Sequence, residues 1–232
     1  MIELLTSFDT GLVKKELVEL NDIVQYGASL NYHYDLDYGW IIHNIGKVKS
    51  ETCIMDAGCG EGAIQFYYAK RCNVFSIDRD DYGSKINNVV MSLESSTVFL
   101  SFDRVDILNY EQSVYYDYIY AASSLEHNDF NGIIKVVNKL CKWLDNGGKF
   151  YMTMMYGPKE GNVSILNGYI DYCLNDEAID RLLNNLDARV QLIGEKKYLE
   201  QDFNTEYAKF KERYPGRVKR EFVPLGIGLQ KC

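Results

Sequence analysis

The sequence predicts an α/β protein built on a doubly wound, mostly parallel sheet of seven strands, with a helical cap at its N-terminus. Three observations support that expectation. From Cys53 onward, short β-rich runs alternate with helical patterns, which places parallel strands between two layers of helices. Glycines 58, 60 and 62 interrupt the chain where the first of those strands meets a helix. The 232 residues are 47% apolar, enough for one large core, and three prolines leave no Pro-rich linker.

The elements follow in order. CIMDA at 53–57 is a strand ended by glycine, and residues 63–71 suit a helix. NVFSI at 73–77 is the second strand and carries Asp78 at its tip. Residues 97–102 and 116–122 read as the third and fourth. Between 132 and 144, the apolar Ile133, Val136, Val137, Leu140, Cys141 and Leu144 recur at the period of a helix. Asn146-Gly147-Gly148 is expected to stop that helix, because glycine tolerates the left-handed cap conformation. Residues 149–155 form the fifth strand, and 188–193 and 220–230 the last two, around a helical insert at 203–214. A single domain is expected: a helical, aromatic-rich cap at 1–48, a cofactor-binding core at 49–157, and a substrate-side insert with the final strand pair at 158–232.

Charge and cysteine usage narrow the function classes. The net charge of -8 argues against a general polyanion binder, which needs a basic surface. The charge is uneven: residues 195–232 carry +3 and the rest -11, so a basic face near the C-terminus (KFKERYPGRVKR) keeps an RNA or protein acceptor open. The six cysteines stand singly at 53, 59, 72, 141, 173 and 232, without zinc spacing to the three histidines at 33, 43 and 127. They read as small buried apolar residues of a reducing compartment. The start MIELLTSFDTGLVKKELVEL lacks a signal peptide's pattern, and no apolar run reaches membrane-spanning length. A cytoplasmic protein with no membrane partner is the expectation.

The most informative segment is Asp56-Ala57-Gly58-Cys59-Gly60-Glu61-Gly62. Alternate glycines permit positive φ and let a ligand approach the backbone closely. At the carboxyl end of a strand in a doubly wound sheet, such a loop lies in the ligand crevice. Sixteen residues past Gly62, Asp78 stands at the next strand tip, where an acid can accept from both hydroxyls of a ribose. A nucleoside-containing cofactor is the implication. Gly58-x-Gly60-x-x-Ala63 also satisfies the dinucleotide pattern, so an NAD-dependent oxidoreductase is the rival.

The DxGxGxG at 56–62 resembles the signature of Rossmann-like S-adenosylmethionine (SAM) methyltransferases. Matches continue with Asp78, Val105-Asp106-Ile107, Ser123-Ser124-Leu125-Glu126-His127, and a Leu144-Asp-Asn-Gly-Gly148 turn similar to the family's LxxGG. The likeness covers roughly residues 40–157 and is similar to the small-molecule branch with Glu-His after the fourth strand. It implies SAM as cofactor and methyl transfer to an oxygen or nitrogen of a small molecule. By the same resemblance, Gly58, Cys59 and Gly60 would line the methionine moiety, with Asp56 at the loop's start. Asp78, with Arg79 beside it, would hold the ribose. Asp106 and Ile107 would frame the adenine, and Ser123 would face the reacting end. A SAM-binding fold serving as a non-catalytic partner subunit is a further alternative.

A hydroxyl acceptor needs a base, and His127 is the candidate: an imidazole titrates near neutrality. Glu126 beside it can orient a substrate amine or simply begin a helix. Tyr26, Tyr32, Tyr34, Tyr38 and Trp40 of the cap, and Tyr156 and Asn167 beyond the fifth strand, are candidates for substrate contacts. The Asp/Asn-Pro-Pro-aromatic motif of DNA amino-methyltransferases is absent after the fourth strand, where SSLEH stands, so DNA is not expected as acceptor. No histidine follows His127, so the metal site of certain RNA methyltransferases is not expected.

Overall fold

The computed structural model describes residues 1–31, 33–93, 99–164, 170–195, 199–200, 202–215 and 222–232. In chain order these form β1 (Ile2–Leu4), α1 (Lys14–Val24), α2 (Tyr34–Ile45), β2 (Cys53–Ala57), α3 (Ala63–Ala69) and β3 (Asn73–Asp78). Then come α4 (Gly83–Ser92), β4 (Leu100–Arg104), β5 (Tyr116–Ala122), α5 (Phe130–Lys142) and β6 (Leu144–Tyr156). The last part holds β7 (Gly161–Ser164), β8 (Ile170–Leu174), α6 (Asp176–Asn184), β9 (Val190–Leu192), α7 (Phe203–Arg213) and β10 (Val223–Lys231).

The strands join one sheet in the order β1-β10-β6-β5-β2-β3-β4, with β8 also on β6, β7 on β8 and β9 on β10. Pairs β3/β4, β2/β3, β2/β5 and β5/β6 are parallel; β10 runs antiparallel to β6. The winding reverses between β2 and β5, because β2 is followed by β3 on one side while β5 lies on the other. A crevice opens at such a switch point, outside the carboxyl ends of the strands. The sheet centre is largely apolar: Ile54, Met55, Ile119, Ala121, Phe150 and Met152 are all buried, as strands covered on both faces require.

This is the doubly wound architecture expected, with corrections in detail. Among the described residues the sheet has ten strands rather than seven. The cap is not wholly helical: Ile2–Leu4 adds an edge strand on β10, too short to show any alternation in sequence. The connection after β6 carries the β7–β8 hairpin and α6. The third strand is Leu100–Arg104, later than expected, and residues 97–98 of the expectation lie outside the described residues. Helix α5 starts early because Asp129 caps it, accepting from the Gly132 N–H at 2.7 Å. Asn146-Gly147-Gly148 does not stop that helix, which has ended by Trp143. Gly147, at φ 79°, instead sits where the β5/β6 register shifts, between Tyr116↔Leu144 and Tyr118↔Lys149.

Cap and insert are bound together. Glu206 of α7 accepts from the Thr6 and Ser7 hydroxyls and from Lys209 at 2.6 Å, while Asp35 of α2 accepts from Tyr214 and, at 2.5 Å, from Arg213. Four of the cysteines are buried and all six are free thiols. No helix among the described residues is long and apolar enough to cross a membrane.

Candidate functional site

A cavity of about 460 Å³ opens at the switch point, and the sequence-derived candidates meet there. Gly58, Cys59, Gly60, Asp78, Arg79, Asp106, Ile107, Ser123 and His127 all line it. They come from the carboxyl ends of four strands, β2 through β5, which the parallel sheet brings to one edge. The β2–α3 loop turns back on β3: the Gly58 and Cys59 N–H groups donate to the Ile77 carbonyl at 2.8 and 3.2 Å. Gly58 stands at φ 76°, and a Cβ there would come within 2.6 Å of the Ser124 Cβ, so no larger residue fits. Gly60, at φ 49°, has nothing within 4 Å of such a Cβ and leaves the loop open to the cavity.

Asp78 plays a local part as well. Its Oδ2 accepts from the Gly60 N–H and its Oδ1 from the Asp80 N–H, both at 2.9 Å, which leaves acceptor capacity on each oxygen. Asp106 caps the short turn Ile107–Asn109, accepting from the Leu108 N–H at 2.8 Å, with its second oxygen uncommitted and Ile107 half-buried beside it. Arg79 is exposed at the rim. Asp56, expected to shape the loop or to receive the cofactor's amino group through water, is 2% exposed, does not line the cavity, and accepts from the Tyr120 hydroxyl at 2.9 Å beneath the loop, a position that suits the first of these and not a direct cofactor contact. Burial pushes its carboxyl up to about 8, with the charge of Asp78 adding to the shift against the Tyr120 hydrogen bond.

At the opposite end, the chain after β5 bends sharply. Ser123 has φ 49°, a left-handed conformation uncommon for a residue with a Cβ, held by bonds from its N–H to Thr153 Oγ1 at 3.0 Å and to the Thr153 carbonyl at 3.2 Å. Its hydroxyl donates to Asp37 Oδ2 at 2.7 Å. Asp37 is fully buried in α2, and the same oxygen accepts from Asn31 at 2.9 Å and lies 2.7 Å from His33 Nδ1. Four residues on, His127 Nδ1 meets Asp171 Oδ1 of β8 at 2.6 Å; Asp171 is buried, while the imidazole is 37% exposed. The Asp171 hydrogen bond raises the His127 pKa against the effect of burial, with help from the Glu126 charge. Glu126 is 2% exposed, and burial pushes its carboxyl up to about 8, against the charge of His127. Its Oε2 has no hydrogen-bond partner among the described residues, and neither has Asp37 Oδ1.

Asp37, His33 and Asp171 were not singled out in sequence. Asp37 falls in the first turn of a helix, where acids are ordinary, and Asp171 lies on a strand hidden in a long connection. Of the cap aromatics, Tyr38 lines the cavity, whereas Trp40 packs in the core with its N–H on Glu3 at 2.9 Å. Tyr26 and Tyr34 are not among the cavity's lining residues, and Tyr156 is buried without reaching it. Tyr32, Asn167 and residues 216–220 of the basic segment lie outside the described residues. Among the described residues no group of three or more His, Cys, Asp or Glu side chains is disposed to hold a metal ion.

No family model matches the chain, and no curated protein matches it in sequence. Solved structures do match in fold. The [4+2]-cyclase SpnF is 13% identical with a TM-score of 0.63, over 95% of this chain and 92% of that one. The 1,6-didemethyltoxoflavin-N1-methyltransferase of Burkholderia thailandensis, solved with its substrate and S-adenosylhomocysteine, is 12% identical with a TM-score of 0.59, over 94% and 89%. Magnesium protoporphyrin IX methyltransferase of Synechocystis PCC 6803, solved with SAM, is 12% identical with a TM-score of 0.56, over 95% and 91%. The chain has the Rossmann-like methyltransferase fold. At these identities the likeness concerns fold, and function has to be argued from the site.

Proposed function

We propose that the protein is a SAM-dependent methyltransferase acting on an oxygen or nitrogen of a small molecule. The observation that carries this reading is the convergence of the glycine loop, Asp78, Asp106, Ile107, Ser123 and His127 on one cavity. The open space at Gly60 and the uncommitted acceptor capacity of Asp78 and Asp106 suit a nucleoside with an extended tail. In this reading Gly58, Cys59 and Gly60 hold the methionine end by their main chain, Asp78 and Arg79 the ribose, and Asp106 with Ile107 the adenine. Asp56 shapes the loop from below. Methyltransferases of the same fold that have been solved with SAM or S-adenosylhomocysteine support the choice of cofactor.

When bound, SAM supplies a methyl group already activated on a sulfonium. What remains for the chain is alignment and exclusion of water, and positioning alone can contribute roughly 7 to 11 kcal/mol. His127 takes the proton that the acceptor must lose, on the ring nitrogen other than the one that meets Asp171. Asp171 holds the imidazole in orientation and favours its protonated form. The single-domain organisation belongs to the same reading.

Thermal-shift titration with SAM, S-adenosylhomocysteine and NAD tests the cofactor. At ligand about 100 times its dissociation constant, linkage adds about 2.7 kcal/mol, or roughly 5 to 10 °C for a chain of this size. Stabilisation by NAD alone would replace this reading with an oxidoreductase. Because one protein of this fold is a [4+2]-cyclase, binding is followed by turnover assays; SAM binding without any methyl transfer would favour a different reaction or a non-catalytic subunit.

A further inference from the structure

The third glycine of the loop has a reason that lies in the cap. Gly62 has an ordinary φ of -60°, so its backbone does not call for glycine. Space does: a Cβ there would stand 2.9 Å from the Tyr38 hydroxyl and 3.2 Å from the Cys59 carbonyl oxygen. Tyr38 reaches this point from α2. The cap is tied to the loop beside it, because the Ser29 N–H donates to the Glu61 carbonyl at 2.8 Å and the Ala63 N–H to the Ser29 carbonyl at 2.9 Å. The Tyr38 side chain is 6% exposed and lines the cavity. Its hydroxyl makes no hydrogen bond among the described residues. Burial, with the nearby charges of Asp56 and Asp37, holds the phenol well above its ordinary range, so the O–H stays protonated. A donor so buried and without an acceptor is costly until a ligand supplies one.

The methionine end of the proposed cofactor needs such a donor. Between 58 and 63, every N–H but that of Glu61 is already engaged within the fold: Gly58 and Cys59 on the Ile77 carbonyl, Gly60 on Asp78, Gly62 on the Cys59 carbonyl and Ala63 on Ser29. The loop therefore offers mainly carbonyl oxygens, which suit the ammonium of an amino acid and repel its carboxylate. Among the described residues no lysine lines the cavity, and the basic residues that do, Arg79 and His127, stand at the tip of β3 and in the turn after β5. The Asn31 amide and the Ser123 hydroxyl are spent on Asp37, and the Ser124 hydroxyl on the Ala57 carbonyl. Ser29 is exposed at the rim. We propose that the Tyr38 hydroxyl donates to the carboxylate of the cofactor's methionine moiety, so that the cap selects a cofactor carrying an amino-acid tail. The proposal rests on the function proposed above.

The experiment compares three adenosine thioethers that differ only in the tail: S-adenosylhomocysteine, its decarboxylated aminopropyl form, and methylthioadenosine, which has neither amine nor carboxylate. Each is titrated calorimetrically into the whole chain and into Tyr38→Phe, which keeps the ring. The variant should bind S-adenosylhomocysteine about tenfold or more weakly, the size of a hydrogen bond to a charged group, and the other two within a factor of about two of wild type. Ligand-free Tyr38→Phe should melt as high as wild type or higher, because the hydroxyl it loses has no partner. Gly62→Ala, which drives a methyl toward that hydroxyl, should repeat the selective loss. Unchanged affinity for S-adenosylhomocysteine overturns the inference, and so does an equal weakening of all three ligands, which would make Tyr38 a packing residue. If Tyr38→Phe fails to fold, wild type alone decides: a decarboxylated form that binds as tightly as S-adenosylhomocysteine overturns the inference. If none of the three binds, the proposed function falls and this inference with it.

Discussion

The two ends of the cavity are built on opposite principles. The end proposed for the cofactor is made of main chain and short-range contacts: a glycine loop, the strand tip that follows it, and an Asp-capped turn, all within residues 56–107. The end proposed for the acceptor is backed by side chains from α2 and its N-cap, the turn after β5, and β8, at 33, 37, 126, 127 and 171. The first end is pre-shaped by hydrogen bonds that the fold satisfies internally. The second holds buried acids, of which Glu126 Oε2 and Asp37 Oδ1 have no hydrogen-bond partner among the described residues. The contrast teaches that one end of a cavity can be shaped by the main chain of a short stretch of sequence, whereas the other is assembled from side chains that only packing brings together.

Substitutions at the two ends should therefore fail differently, and the largest effect belongs to the acceptor end. His127→Ala should lower turnover about a hundredfold to ten-thousandfold, the usual size of general-base catalysis, with SAM affinity nearly unchanged. Rates within a factor of about three across pH, normalised to folded protein, would remove His127 from the mechanism. Asp78→Ala should do the reverse. It removes a charged acceptor worth about 1.5 to 3 kcal/mol, so SAM affinity should fall about tenfold to a hundredfold by calorimetry, while the ligand-free protein melts somewhat lower because the Gly60 and Asp80 N–H groups lose their acceptor. Equal affinity would make Asp78 a turn residue only.

The glycine loop offers a sharper cut within one end. Gly58→Ala forces a Cβ into Ser124 at a positive φ and should cost about 1 to 3 kcal/mol of stability in denaturant unfolding. Gly60→Ala meets nothing within 4 Å, so its stability cost should stay near about 1 kcal/mol while SAM affinity drops. Equal losses of stability would show that the loop is not divided in this way.

The smallest expected effect is on pH dependence. The Asp171 hydrogen bond raises the His127 pKa, and a base must be neutral to act. Asp171→Asn should therefore move the ascending limb of kcat/KM to lower pH, toward the ordinary histidine value near about 6.5. The stability from this pair is fully present below about pH 6.5 and is lost as pH rises through the raised folded value. Wild type and variant should accordingly differ most in melting temperature on the acid side and converge above it. A limb that stays in place would detach Asp171 from the base.

Asp56 and Glu126 extend the comparison to both ends at once, each raised by burial to about 8. Such groups bind more protons folded than unfolded between about pH 4 and 8. The ligand-free protein should thus lose stability as pH rises through that window, and Glu126→Gln should flatten the decline.

Local chemistry was enough to read, from residue order alone, which residues of this stretch line the cavity. A strand, alternate glycines, a helix and an acid at the next strand tip all lie within 26 residues, from 53 to 78, and each has a short-range physical meaning. The doubly wound sheet was legible for a related reason, because alternating apolar periods imply parallel strands between helices. Even there the bland readings proved compatible with the functional ones: Asp106 caps a turn and lines the cavity at the same time. What only the tertiary structure decided is everything that depends on long-range pairing. Ile2–Leu4 is a strand only because β10 offers an edge, and the Gly147 turn is a register shift only because β5 runs beside it. Asp171 lies 44 residues from His127 and Ser123 lies 86 from Asp37. No period or spacing announces such a meeting; the packing of α2 and β8 against the end of β5 creates it, and burial then shifts the titration of an ordinary acid, Glu126.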